Sequence, residues 1–169
     1  MKIEVPYYSQ FLDVEQKDMM PKACAIACLK MYMETYKKVP SIDELFAQGE
    51  KKGGYGPSGW YHDALVSLAK DYGFSAERKE DMSISDGVET LKESLKEGAP
   101  VIVSAVKYIL GQTKFHMVLL VGFKEEGKEL LGFYYHDPES INKEAAKNLF
   151  VPIETFKKEW RRMAIFVTK

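Results

Sequence analysis

Over residues 21–34 the chain is apolar at almost every position, and its only charges after Lys22, Lys30 and Glu34, stand four apart and share one stripe of a helix. A helix apolar nearly all round belongs inside a domain, and Pro21 marks its start. Its first turn carries Cys24. Helical spacing then recurs three times. Ser41 and Glu44 have capping-box spacing and open a short helix ending near Glu50. Tyr61, Ala64, Leu65, Leu68, Ala69 and Tyr72 fall on one face before a stop at Gly73, and Val88, Leu91 and Leu95 line a helix over 86–97 that Gly98 ends. From Pro100 the pattern changes to apolar runs of strand length at 101–106, 115–123, 130–137, 148–151 and 163–167, with a short amphipathic helix over 152–161. The N-terminal segment 2–10 reads as extended, and Pro6 makes it a terminal or edge strand. Residues 51–59, rich in glycine, read as a connection bordering a cleft. Helices followed by an antiparallel sheet make an α+β architecture, expected here as a single domain over 1–169.

Composition narrows the function classes. The 24 Lys and Arg nearly balance the 25 Asp and Glu, so there is no basic field to gather nucleic acid. No run approaches the length of a membrane span, and Glu4 and Pro6 stand where a signal peptide needs apolar residues, so the expectation is a cytoplasmic protein without a membrane partner. Cys24 and Cys28 lie four apart on one helix, a geometry that does not suit a disulfide, and both read as reduced thiols. The three histidines, His62, His116 and His136, lack zinc-site spacing, and the glycine-rich connection lacks the order of a phosphate loop. Neither a metal nor a cofactor is expected.

Chemistry therefore rests on side chains. An isolated helical cysteine is ordinarily a packing residue, but a thiol in the first turn meets unpaired N–H groups and the positive end of the helix dipole, both of which favour thiolate. In the hairpin joining 115–123 to 130–137, a two-residue turn at Glu126-Gly127 sets His116 directly opposite Asp137. Opposed residues project to one face with Cβ atoms about 5 Å apart, close enough for a carboxylate to fix the tautomer of an imidazole. A thiol, an imidazole and an orienting carboxylate form the nucleophilic arrangement for acyl transfer and amide hydrolysis. Gln10, at the end of the N-terminal segment, could supply an amide donor for an oxyanion, and Gln16 competes for that role. His62 falls off the packed face of its helix and reads as a surface or groove residue.

The order Gln10, Cys24, His116, Asp137, with 5–10 reading Val-Pro-Tyr-Tyr-Ser-Gln, 116–123 reading His-Met-Val-Leu-Leu-Val-Gly-Phe and 136–138 reading His-Asp-Pro, resembles the bacteriocin-processing-like cysteine peptidases of the papain-fold group. The likeness extends over nearly the whole chain through 59–62, 72–73 and 98–103. It implies a papain-like α+β fold whose buried N-terminal helix carries the cysteine. It further implies Cys24 as nucleophile, His116 as general base and acid, Asp137 as the residue orienting His116, Gln10 in the oxyanion hole, and a peptide or amide substrate. A non-catalytic binding module of the same fold and an acyl transferase using the same triad are the alternatives. The family usually follows its cysteine with a glycine-led pair, whereas Ala25-Ile26 stands here and is expected to narrow the cleft. Cys28 reads as core.

Overall fold

The apolar runs after Pro100 become the middle of a six-stranded sheet. The computed structural model describes residues 1–104 and 116–169. Its sheet is built from β3 (Ser75–Lys79), β4 (Val101–Ser104), β5 (Met117–Glu126), β6 (Glu129–His136), β7 (Leu149–Pro152) and β8 (Ala164–Thr168) in the order β3-β8-β4-β5-β6-β7, every neighbouring pair antiparallel. Before these strands lies a small hairpin of β1 (Tyr55–Gly56) and β2 (Gly59–Trp60) within the glycine-rich connection.

Helices cover both sides of the sheet. On one side α1 (Cys24–Glu34), α2 (Ile42–Lys51) and α3 (His62–Asp71) pack on Ile102, Leu119, Val121, Ile165 and Val167; on the other α4 (Ile84–Lys96) and α5 (Ile153–Glu159) pack on Val101, Val103, Val118, Leu120, Phe133 and Phe166. A central strand buried on both faces has no polar side to show, which explains why β4 and the first seven residues of β5 are continuously buried and read as unbroken apolar runs.

Two helices start at serine caps, and α1 starts at Cys24, three residues after Pro21, which lies in a separate 3-10 turn, Met20–Lys22. Ser41 accepts from the Glu44 N–H at 3.2 Å, and Ser83 accepts from the Asp86 N–H at 3.2 Å, placing the start of α4 at Ile84, two residues earlier than the apolar spacing suggests. Along α1 every residue from Ala25 to Met33 is buried. The charged stripe is satisfied inside the fold: Lys30 Nζ pairs with Glu34 at 3.1 Å, donates to the carbonyls of Val39 and Pro40, and lies over the Tyr8 ring.

Two elements depart from expectation. β3 is an edge strand whose exposed charges, Glu77, Arg78 and Lys79, guard an unpaired edge and carry no apolar alternation to read. The N-terminal segment forms no named strand: its contacts with β5 include a bridge between Lys2 and Gly122, a bond from the Ile3 N–H to the Val121 carbonyl at 2.7 Å and one from the Phe123 N–H to the Met1 carbonyl at 3.0 Å. Gly122 is required there, since a Cβ on it would stand 2.3 Å from the Met1 carbonyl oxygen. Of the expected strand 101–106, Val101–Ser104 form β4, and Ala105, Val106 and Phe115 lie outside the described residues.

The hairpin register also differs. Glu126 pairs with Glu129, so the turn is Gly127-Lys128 and not Glu126-Gly127. Gly127 takes φ 61° as the first turn residue, a conformation that glycine adopts without strain and Glu126 would not. Two irregularities follow along the ladder: Leu131 is the extra residue on β6 and Val121 the extra residue on β5, so their offsets cancel and Leu119 meets His136. Continued two pairs beyond Val118 and Asp137, this register sets His116 toward Glu139. Asp137 becomes its diagonal neighbour and not its direct one. Among the described residues no helix is long and apolar enough to cross a membrane.

Candidate active site

Cys24 is the first residue of α1, and it alone of that helix's first ten residues is partly exposed. No side chain caps the helix at Ala23, so the first-turn N–H groups face the thiol side of the helix end without a competing carboxylate or hydroxyl cap. Ala25 and Ile26 turn away from that opening. Both are buried, and Ile26 Cδ1 reaches toward Gly49, 3.8 Å from where a Cβ would stand. Successive helical residues are rotated by about 100°, so the pair that follows the thiol points into the core and does not narrow the cleft as expected.

His116 immediately precedes β5 and is 8% exposed. Its Nε2 meets Asp137 Oδ1 at 2.5 Å, its Nδ1 lies 3.4 Å from Glu139 Oε2, and Cys24 hydrogen-bonds the ring. Each ring nitrogen has one in-plane position for a partner. With Nε2 engaged by Asp137, Nδ1 is the nitrogen left to face the thiol. Burial alone would lower the pKa of this ring; the hydrogen bonds to Asp137 and Cys24, together with their negative charge, outweigh it and push the pKa up to about 10. The ring is therefore held as imidazolium at neutral pH.

The orienting carboxylate is itself fixed. Asp137 Oδ1 also accepts from the Glu139 N–H at 2.9 Å, its own N–H donates to the Ala146 carbonyl at 3.0 Å, and its carbonyl accepts from Tyr7 Oη at 2.5 Å. Burial, and then the charge of Asp137, raise the pKa of Tyr7, which keeps that hydroxyl a donor. The preceding residue, His136, is wholly buried; its Nδ1 accepts from the Asn148 N–H and its Nε2 donates to the Val5 carbonyl, both at 3.1 Å. That pair of contacts fits only the neutral ring with its hydrogen on Nε2. Burial lowers its pKa in the same sense.

Gln10 comes to the same end of the sheet. Its N–H donates to the Pro138 carbonyl at 2.8 Å, and its side chain is buried with Nε2 donating to the Met20 carbonyl at 2.8 Å. A carbonyl can only accept, so this contact fixes which way the amide faces. Nε2 is thereby tied to Met20, in the short 3-10 turn Met20–Lys22 that leads into Cys24. Among the described residues, Gln10 Oε1 is buried with no hydrogen-bond partner. Gln16 is exposed and held by its backbone N–H to Asp43 at 2.9 Å. His62 opens α3 and faces Glu80, with 3.4 Å between Nδ1 and Oε1.

The neighbouring loops are laced together. Ser9 Oγ donates to the Ser140 carbonyl at 2.6 Å while accepting from the N–H groups of Phe11 and Leu12, and Lys143 pairs with Asp13 at 2.8 Å. Tyr7, Ser9 and Glu139 were not singled out from the sequence. Nothing in a two-residue extension past Asp-Pro or in an N-terminal Tyr-Tyr-Ser marks them, because their roles depend on which loops the β5–β6 hairpin brings together. Among the described residues no three His, Cys, Asp or Glu side chains converge as a metal site requires.

The sequence matches the Peptidase C39-like family over residues 2–165. The chain belongs to that family. Among solved structures it is similar to a putative C39-like peptidase from Bacillus anthracis, with 20% identity, TM-score 0.70, and coverage of 100% of this chain and 98% of that one. A double glycine motif protease from an AMS/PCAT transporter, solved in complex with the leader peptide, gives 20% identity and TM-score 0.65 over 99% of this chain and 94% of that chain. The peptidase domain of Streptococcus ComA, a bi-functional ABC transporter, gives 22% and 0.65 over 92% and 96%. These likenesses show the fold, the papain-like α+β fold of cysteine peptidases. No curated protein matches this sequence.

Proposed function

We propose that this C39-like chain is a thiol hydrolase that cleaves a peptide or amide bond through an acyl-enzyme on Cys24. The observation that carries the reading is the placement of a partly exposed thiol at an uncapped helix start, hydrogen-bonded to an imidazole whose far nitrogen is held by a buried carboxylate. In this reading His116 already holds, as imidazolium, the proton that the thiol gives up, and the thiolate attacks the substrate carbonyl carbon. Charge then develops on the carbonyl oxygen, where the side-chain amide of Gln10 and the first N–H groups of α1 act as donors. As the C–N bond breaks, His116 returns its proton to the departing amine. A water molecule, deprotonated by the same ring, attacks the thioester and releases the acid.

Asp137 keeps the His116 ring in the rotamer that directs Nδ1 at the sulfur and stabilises the imidazolium in both steps. A peptide substrate agrees with the family and with a structural neighbour solved with a leader peptide bound. The test is turnover of a peptide library by the wild-type chain and by Cys24→Ala, with mass-spectrometric detection of a thioester on Cys24 in acid-quenched samples. Cleavage that survives Cys24→Ala would sink the reading; binding of peptides without cleavage would show the non-catalytic module instead.

A further inference from the structure

We propose that Glu139 selects charge on the leaving side of the scissile bond, favouring substrates that carry a positive charge immediately beyond it. The proposal rests on the thiol-hydrolase reading above. Its starting point is geometric. Nε2 of His116 is taken by Asp137, so Nδ1 is the atom that exchanges a proton with the departing amine, and Glu139 Oε2 stands 3.4 Å from that atom. Any group so close to Nδ1 is within one side chain's reach of the leaving fragment. The carboxylate is not needed to orient the ring, because Asp137 already does so from the other nitrogen.

Glu139 is also held in place without being hidden. Its N–H donates to Asp137 Oδ1, and its loop is tied to the 9–13 loop through Ser9 and Ser140 and through Asp13 and Lys143. Its side chain keeps 38% of its surface open to solvent. The nearest lysine on the same loop, Lys143, is engaged by Asp13 and does not neutralise it. The charges of His116 and Asp137 offset one another, both being nearly buried, so among the described residues in contact with His116 Glu139 is the open charge that an arriving substrate meets. The two tied loops also expose Ile141 and Leu12, which are 80% and 50% open and give the same rim an apolar surface for residues farther along the leaving fragment.

Two measurements test this. In the first, peptide pairs identical except for Lys or Glu directly after the cleaved bond are compared by kcat/KM. The wild-type chain should prefer Lys by about fivefold, the size expected of a partly solvated pair; Glu139→Gln should bring the ratio near one and Glu139→Lys should invert it. The second does not require peptide cleavage. Trimethylammonioethyl and sulfonatoethyl methanethiosulfonate are reacted with Cys24 in a Cys28→Ala background, and the ratio of the cationic to the anionic rate should fall about fivefold in Glu139→Gln, with the melting temperature unchanged. An unchanged reagent ratio overturns the proposal whether or not any peptide is cut. A changed reagent ratio with an unchanged peptide preference overturns the leaving-side assignment. Absence of any cleavage by the wild-type chain overturns the hydrolase reading, while the reagent ratio still reports whether Glu139 sets the charge preference at the thiol.

Discussion

Cys24 and Cys28 stand one turn apart on the same helix, yet one opens to the solvent and the other is fully buried, its Sγ donating to the Met117 carbonyl at 3.6 Å. Burial raises the pKa of Cys28 well above the ordinary thiol value, and the negative charges of Cys24 and Asp137 add to the rise. Four residues nearer the N-terminus, the helix has its unpaired N–H groups and an imidazolium beside it. The difference between a packing thiol and a candidate nucleophile is thus one turn of helix, and it comes from the surroundings and not from the residue.

That contrast can be broken at several points. The largest effect is expected from Cys24→Ala, which should lower peptide turnover by on the order of 10^4-fold or more, whereas Cys28→Ala should leave it within about threefold. Asp137→Asn comes next, with a loss of on the order of 10^2-fold to 10^4-fold in kcat as the ring loses its fixed tautomer. Gln10→Ala should cost about 10^2-fold in kcat with KM little changed, because its side-chain amide acts on charge that develops only in the transition state. Equal losses in kcat for Gln10→Ala and Gln16→Ala would remove Gln10 from the site.

The pH dependence sharpens the comparison at the imidazole. An unfolded His116 titrates near the usual histidine value of about 6.5, and the folded one near 10, so the folded chain holds the extra proton between these values. Stability from this group is fully present below about pH 6.5 and is lost as pH rises through about 10. Melting temperatures measured from pH 6 to 10 should fall more steeply for the wild-type chain than for His116→Gln; parallel curves would contradict the shift. The smallest effect belongs to the buried thiol, where Cys28→Ala should destabilise by about 1 kcal/mol, a drop of roughly 2–4 °C in Tm, through the small cavity it leaves.

Much of this was legible in the sequence because burial leaves a plain mark. The apolar wrap of α1 and the unbroken runs of β4 and β5 follow from burial, and the stop after α3 follows from the φ of 86° that Gly73 adopts. β3 was not legible, since an edge strand protected by charge looks like a loop. At the site, His116 and Asp137 were paired through the wrong register, yet they do meet. Moving the turn from Glu126-Gly127 to Gly127-Lys128 shifts the pairing by two residues, and a shift of two preserves which side chains share a face. Glu139 escaped notice because the pairing that brings it to His116 depends on where Gly127 falls in the turn. The inward turn of Ala25 and Ile26 follows from helical rotation, which the spacing alone would have allowed one to see.

The irregularities at Val121 and Leu131 leave one unpaired residue on each strand of this hairpin and set a rule for changes in its length. Deleting either extra residue would smooth the ladder and keep the remaining pairs opposed, since Leu120 would still face Tyr135 and Lys124 would still face Gly132. Deleting a paired residue such as Phe123 would instead move every more distal residue by one place relative to its partner strand and exchange inward for outward side chains. His116 and Asp137 lie beyond both irregularities, so length changes at paired positions that keep them together must come in matched pairs, one on each strand.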